Sequence, residues 1–152
     1  MKTVSEKKAK ALSELVIINN DRSEGYHKAA EQTTDSDLKS LFIKFSTQSK
    51  NFSADLRKLI PFSEETPKHD ETTVSGKFFR AWMDVKSALT SKDRKSVLSS
   101  CEYGEDVAKK TYDDILEHPE DVPSDVLSLI KKQRSDLQHG HDTIKALRDS
   151  IN

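Results

Sequence analysis

Cysteine, glycine and proline are all scarce in this chain of 152 residues, with one, four and four copies respectively, and each scarcity excludes something. A lone Cys101 cannot close an internal disulfide, and its isolation points to a reducing compartment. All four prolines fall within 61–67 and 119–123, which leaves long stretches free of helix breakers. No apolar run approaches the roughly 20 residues a membrane-spanning helix requires. The start of the chain, Met1 to Leu15, is too charged for a signal peptide, so the expected setting is a soluble cytoplasmic protein with no membrane partner. A formal net charge of −1 offers no basic footprint for nucleic acid.

Charged side chains make up 34% of the chain and hydrophobic ones another 34%. Alternating charges of both signs, rarely interrupted by glycine or proline, describe the solvated faces of amphipathic helices. The apolar residues recur at helical spacing throughout, and no segment alternates as a strand would. A first helix is expected at 4–32, with Leu12, Val16, Asn19, Ser23, Tyr26 and Ala30 on one face. Asp35 suits the N-cap of a second helix, 35–60, striped by Leu38, Leu41, Phe42, Phe45, Gln48, Phe52, Leu56 and Leu59. Residues 61–74 read as a polar loop, and 75–90 as a shorter helix centred on Trp82. Ser91 can cap a helix running to Glu117, with Leu98, Cys101, Glu105, Ala108, Tyr112 and Ile115 inward.

The last helix, 124–151, carries the clearest periodicity. Ile130, Leu137, Ile144 and Ile151 recur every seven residues and mark one face. A companion row, offset by three or four, reads Leu127, Arg134, His141 and Arg148. A buried helix seam normally has both rows apolar, so this row predicts polar groups inside the protein and places His141 in the core.

Two helical hairpins with short turns, joined by a long connection over 61–91, make a single all-α domain spanning 1–152. One long crossover between hairpins is the ferritin-like form of the four-helix bundle, here with a short extra helix inside the crossover. The segments IINNDR (17–22) with Glu24-Gly25-Tyr26, DSDLKSLF (35–42), VSGK (74–77), RAWMD (80–84), CEYGED (101–106) and HDTIKALRD (141–149) also carry a resemblance. In their order and spacing the chain resembles a bacterial family of four-helix-bundle proteins of unknown function, placed in the ferritin-like superfamily. The likeness runs from Leu15 onward and implies a fold and a soluble bacterial protein, but no substrate.

Ferritin-like di-iron proteins set a Glu on each of two helices and a Glu-x-x-His pair on each of the other two, all facing inward. This chain keeps little of that set. Gln48 and Asn51 stand where the second helix would need Glu and His, and Gln138 precedes His141 on the last. The literal Glu24-x-x-His27 lies off the inner stripe and is expected to face outward. The main expectation is therefore a non-catalytic bundle, stress-associated and self-associating as a homo-oligomer. In it Asn19, Tyr26, Gln48 and Tyr112 join Glu105 and His141 in an interior hydrogen-bonded network that replaces the metal site, and no cofactor is expected. The alternative is a metal-binding or oxidoreductase protein holding iron, manganese or zinc at a reduced site of Glu105 and His141, with Glu102 as a further ligand.

Overall fold

The computed structural model describes residues 4–60 and 93–151. It contains four α-helices: α1 (Val4–Gln32), α2 (Ser36–Arg57), α3 (Arg94–Leu116) and α4 (Ser124–Asp149), with a short 3-10 turn at Pro119–Asp121. No strand occurs among the described residues. The expected loop at 61–74 and helix at 75–90 lie outside them.

Hydrogen bonds between side chains give the helix directions. Ser23 pairs with Ser46 and Asn20 with Ser53, so α1 and α2 run antiparallel. Tyr112 meets Gln133 and Asp106 meets His141, so α3 and α4 also run antiparallel. Arg22 meets Glu105 and Asn19 meets Tyr112, which sets α1 antiparallel to α3. It follows that α2 and α3 point the same way, and that the end of α2 and the start of α3 lie at opposite ends of the molecule. Arg94, the first residue of α3, confirms the geometry by reaching Asp35 and Asp37 at the start of α2, at 3.2 and 2.7 Å. Its hydrogen bonds hold the Asp37 carboxyl below the usual carboxylate range.

Helix ends follow local chemistry. Asp93 caps α3, its carboxylate accepting from the Ser96 backbone N–H at 3.2 Å. Asp35 sits in extended backbone at the N-cap of α2, but its carboxylate is taken by Arg94 and makes no side-chain cap bond. Helix α2 stops at Arg57, three residues short of the expected end, because Leu59 and Ile60 donate to Leu56 and Arg57 in a tighter turn.

The interior divides into two apolar clusters. One holds Leu12, Leu15, Val16, Leu56, Ile115, Val126, Ile130 and Leu137. The other holds Ala29, Leu38, Phe42, Phe45, Leu98, Cys101 and Ile144, with Tyr26 at its edge. The chain order of these residues places a polar layer between them, built from 19–22 on α1, 48–49 on α2 and 105 on α3, with Gly140 of α4 facing it between Leu137 and Ile144, while Tyr112 and Gln133 carry polar groups on into the first cluster.

One expectation for α4 needs correction. Ile130, Leu137 and Ile144 are buried as expected, but the row accompanying them inside is Val126, Gln133 and Gly140. Leu127, Arg134, His141 and Arg148 are half-buried and lie on the flank. Both rows lie three or four residues from the main stripe, on opposite sides of it, and one helix's periodicity cannot distinguish them. Packing against α3 decides. Arg134 bonds Asp113 at 2.8 Å, His141 meets Asp106 at 3.1 Å and Arg148 meets Glu102 at 2.6 Å, a ladder of polar contacts to acids along the α3–α4 seam.

Candidate functional site

At the centre of the polar layer stands Arg22, with none of its side chain exposed. Burying a guanidinium is costly unless it is paired and hydrogen-bonded, and here both conditions hold. Nε and Nη2 donate to Oε2 and Oε1 of Glu105, each at 2.8 Å, in the two-pronged geometry that matches guanidinium to carboxylate. Nη1 donates to Ser49 Oγ at 2.8 Å, to Gln48 Oε1 at 2.9 Å and, more weakly, to the Phe45 carbonyl at 3.3 Å. The rings of Phe45 and Tyr26 lie 4.9 and 5.3 Å from the guanidinium carbon and present their negative faces to the cation. Burial pulls the guanidinium pKa down, but the charge and hydrogen bonds of Glu105 outweigh it and leave it raised.

Glu105 is fully buried as well. Its Oε1 also accepts from Tyr26 Oη at 3.0 Å. Its nearest helix on the other side is α4, which comes close because residue 140 is glycine. A Cβ there would stand 3.3 Å from both Arg22 Nη2 and Glu105 Oε1, and 3.5 Å from Phe45. Two atoms locked into an ion pair have little room to retreat from a methyl group.

A one-way chain of donors leaves this centre. Arginine has only donors, so the Ser49 hydroxyl accepts from Arg22 and sends its own hydrogen to Asn19 Oδ1 at 3.0 Å. That turns Asn19 Nδ2 toward the Leu15 carbonyl at 2.8 Å and Tyr112 Oη at 2.7 Å. Tyr112, having accepted, donates to Gln133 Oε1 at 2.7 Å. The series ends at Gln133 Nε2, which is buried and has no hydrogen-bond partner among the described residues.

The layer therefore brings together Asn19, Tyr26, Gln48, Glu105 and Tyr112. His141 goes elsewhere. Its Nε2 lies 3.1 Å from Asp106 and its Nδ1 3.2 Å from Asp142, with 13% of the side chain exposed. Glu105 and His141, expected as partners, bond to different groups because α4 presents Gly140, not His141, to the carboxylate. Glu102 lies on the flank against Arg148. Glu24 and His27 face solvent, paired along α1 with Lys28 and Glu31.

The most important residue in the layer, Arg22, was not singled out by the sequence reading, nor were Ser49 and Gln133. The signal was present: Arg22 follows Asn19 by three and precedes Tyr26 by four, which puts it on the inner stripe. The expected stripe runs through Ser23, which is half-buried beside the buried Arg22; charged side chains are rarely buried alone, so helix periodicity by itself does not single out the arginine. Its partner, Glu105, was on the inner stripe of α3.

The chemistry open to this layer is narrow. Burial, reinforced by the Glu105 charge, holds the Tyr26 hydroxyl and the Cys101 thiol far above their ordinary values, and burial does the same for Tyr112. A general acid or base is most effective with a pKa near the working pH, and these three groups are moved away from it. A thiol kept protonated is not a nucleophile. Both oxygens of Glu105 are engaged.

These observations define an all-helical protein in which four helices close around a buried, charge-paired layer. The chain belongs to a family described as a domain of unknown function, DUF2383, whose match covers residues 7–118. That span includes Arg22 and Glu105 and stops before α4. No curated protein matches the chain. No helix among the described residues is long and apolar enough to cross a membrane.

Proposed function

We propose that this chain is a ferritin-like four-helix bundle without catalytic chemistry, in which a guanidinium replaces the metal ions such bundles hold between their helices. The observation that carries this reading is the complete burial of Arg22 with both prongs on Glu105. A carboxylate whose two oxygens already accept from an internal cation has no role left as a bridging metal ligand. The parallel run of α2 and α3, with the end of one and the start of the other at opposite ends, is what a single long crossover between two hairpins requires. In this reading the protein is bacterial and cytoplasmic, acts through self-association under stress, needs no cofactor and binds no nucleic acid, in keeping with its net charge of −1. The alternative of a metal-binding or oxidoreductase site at Glu105 and His141 loses its first ligand to Arg22, and the two do not converge because His141 stands on the flank beside Asp106.

The test is metal analysis of protein purified without a histidine tag, with wild type beside Glu105→Gln and circular dichroism to follow helicity. The expected result is a metal content that the substitution does not change. Stoichiometric iron, manganese or zinc that disappears in a still-helical Glu105→Gln variant would overturn the reading.

A further inference from the structure

The ladder along the α3–α4 seam has three rungs, and the middle one differs in kind. Arg134 and Arg148 are donor-only cations; Arg134 hydrogen-bonds both oxygens of Asp113, whereas Arg148 stands 2.6 Å from Glu102 Oε2 without hydrogen-bond geometry and leaves that buried oxygen with no hydrogen bond among the described residues. His141 is the one member of its row that can present a lone pair. One donor atom each from Glu102, Asp106 and His141 lie within 4.8 Å of one another. Glu102 and Asp106 are one turn apart on α3, and His141 reaches them from α4.

Both ring nitrogens of His141 face carboxylates. Nδ1 lies 3.2 Å from Asp142 Oδ1, an oxygen that also accepts from Gln138 Nε2 at 2.9 Å. Nε2 lies 3.1 Å from Asp106 Oδ1. When Nδ1–H is donated to Asp142, Nε2 carries a lone pair, and a lone pair facing a carboxylate oxygen needs a cation between them. A proton on Nε2 is one such cation. A metal ion at the same place is the other, and it would draw in Glu102 as well. A carboxylate that takes the far N–H of an imidazole is the outer-shell arrangement that orients metal-bound histidines.

The surroundings suit exchange with solvent. Glu102 and His141 are largely shielded, at 18% and 13% exposure, while Asp106 is half exposed and leaves room for entry and for water ligands. Two cations now neutralise the cluster: Arg148 on Glu102, and Lys109 at 3.4 Å from Asp106. Each has somewhere else to go. Arg148 already bonds Asp149 at 3.1 Å, and Lys109 already reaches Gln138 at 3.3 Å.

We propose that Glu102, Asp106 and His141 form a binding site for one divalent transition-metal ion, with Arg148 as the internal cation it displaces. One imidazole and two carboxylates favour zinc, manganese, iron or cobalt over the all-oxygen sites of magnesium and calcium. The site is separate from the interior layer and does not depend on the function proposed for that layer.

The experiment uses untagged, chelator-treated protein titrated with zinc chloride in a calorimeter, and with cobalt(II) followed by visible absorption. One ion per chain is expected. Asp106→Asn and His141→Ala should each weaken binding at least tenfold, and Arg148→Ala should tighten it several-fold. His27→Ala, on the solvent face of α1, should leave it unchanged. Circular dichroism checks that the variants remain folded, and Asp106, being half exposed, gives a substitution with little structural risk. Absence of binding, or an affinity that either Asp106→Asn or His141→Ala leaves unaltered, would overturn the proposal.

Discussion

The interior layer and the α3–α4 flank are built from the same chemistry. Arg22 grips Glu105 at 2.8 Å, and Arg134 grips Asp113 at 2.8 Å, each guanidinium engaging both carboxylate oxygens. They differ in solvent. The first pair is wholly buried, whereas 24% of Arg134 and 47% of the Asp113 side chain meet water. On the flank, water stands ready to replace either partner. In the interior nothing does, so the hydrogen bonds from Tyr26, and to Gln48 and Ser49, are conditions for burying the pair at all. Contact distance alone says little about what an ion pair contributes; the surroundings of each partner decide it.

The largest effect should come from breaking the interior pair on one side. Arg22→Met leaves a carboxylate buried without its cation and should cost about 3–5 kcal/mol in urea unfolding. Arg22→Met combined with Glu105→Leu should recover most of that loss, since an apolar pair of similar volume is often no worse than a buried ion pair. A double variant as unstable as the single one would show that the layer holds the fold by something other than charge pairing.

Alkaline titration should act on the interior and leave the flank pairs largely unaffected. Tyr26, Tyr112 and Cys101 have folded pKa values raised above their unfolded ones. Their contribution is fully present below the unfolded values, near 8.5 for a thiol and 10 for a phenol, and is lost as pH rises toward the folded values. Unfolding free energy should therefore fall above about pH 8.5 and more steeply above about pH 10, by up to roughly 1.4 kcal/mol per pH unit for each group. Tyr112→Phe should make the decline shallower, as read from urea midpoints between pH 8 and 11. A flat profile would mean that these groups ionise as readily inside as out.

Arg134→Ala sits at the small end. Exposed pairs are typically worth about 0–1 kcal/mol, so its urea midpoint should scarcely move, and added salt should erase what difference there is. A loss comparable with that of Arg22→Met would remove the distinction between the two regions.

How much of this was readable beforehand follows the same division. The four helices within 4–60 and 93–151 follow from apolar spacing and from the confinement of proline to two short stretches, and they fall within a few residues of expectation. The inner stripe of α3, Leu98 to Ile115, is buried throughout. On α4 the main stripe was legible but its companion was not, because a heptad row on either side of it satisfies the same spacing. Only the acids of α3 at Glu102, Asp106 and Asp113 draw Arg134, His141 and Arg148 to the flank and leave Gln133 and Gly140 inside. Arg22 escaped notice for a related reason. A buried arginine makes sense only with its carboxylate, and that carboxylate lies 83 residues away in the chain.

The division of the interior pair between two hairpins bears on how the halves recognise each other. Arg22 belongs to the α1–α2 hairpin and Glu105 to α3–α4. Two copies of the first hairpin meeting along the same faces would set guanidinium against guanidinium in an apolar interior, and two copies of the second would do the same with carboxylates. Either mispairing buries an uncompensated charge, whereas the native pairing buries none. Leucine and phenylalanine stripes accept almost any apolar neighbour, and this single polar layer therefore gives each half its complement and refuses its own likeness.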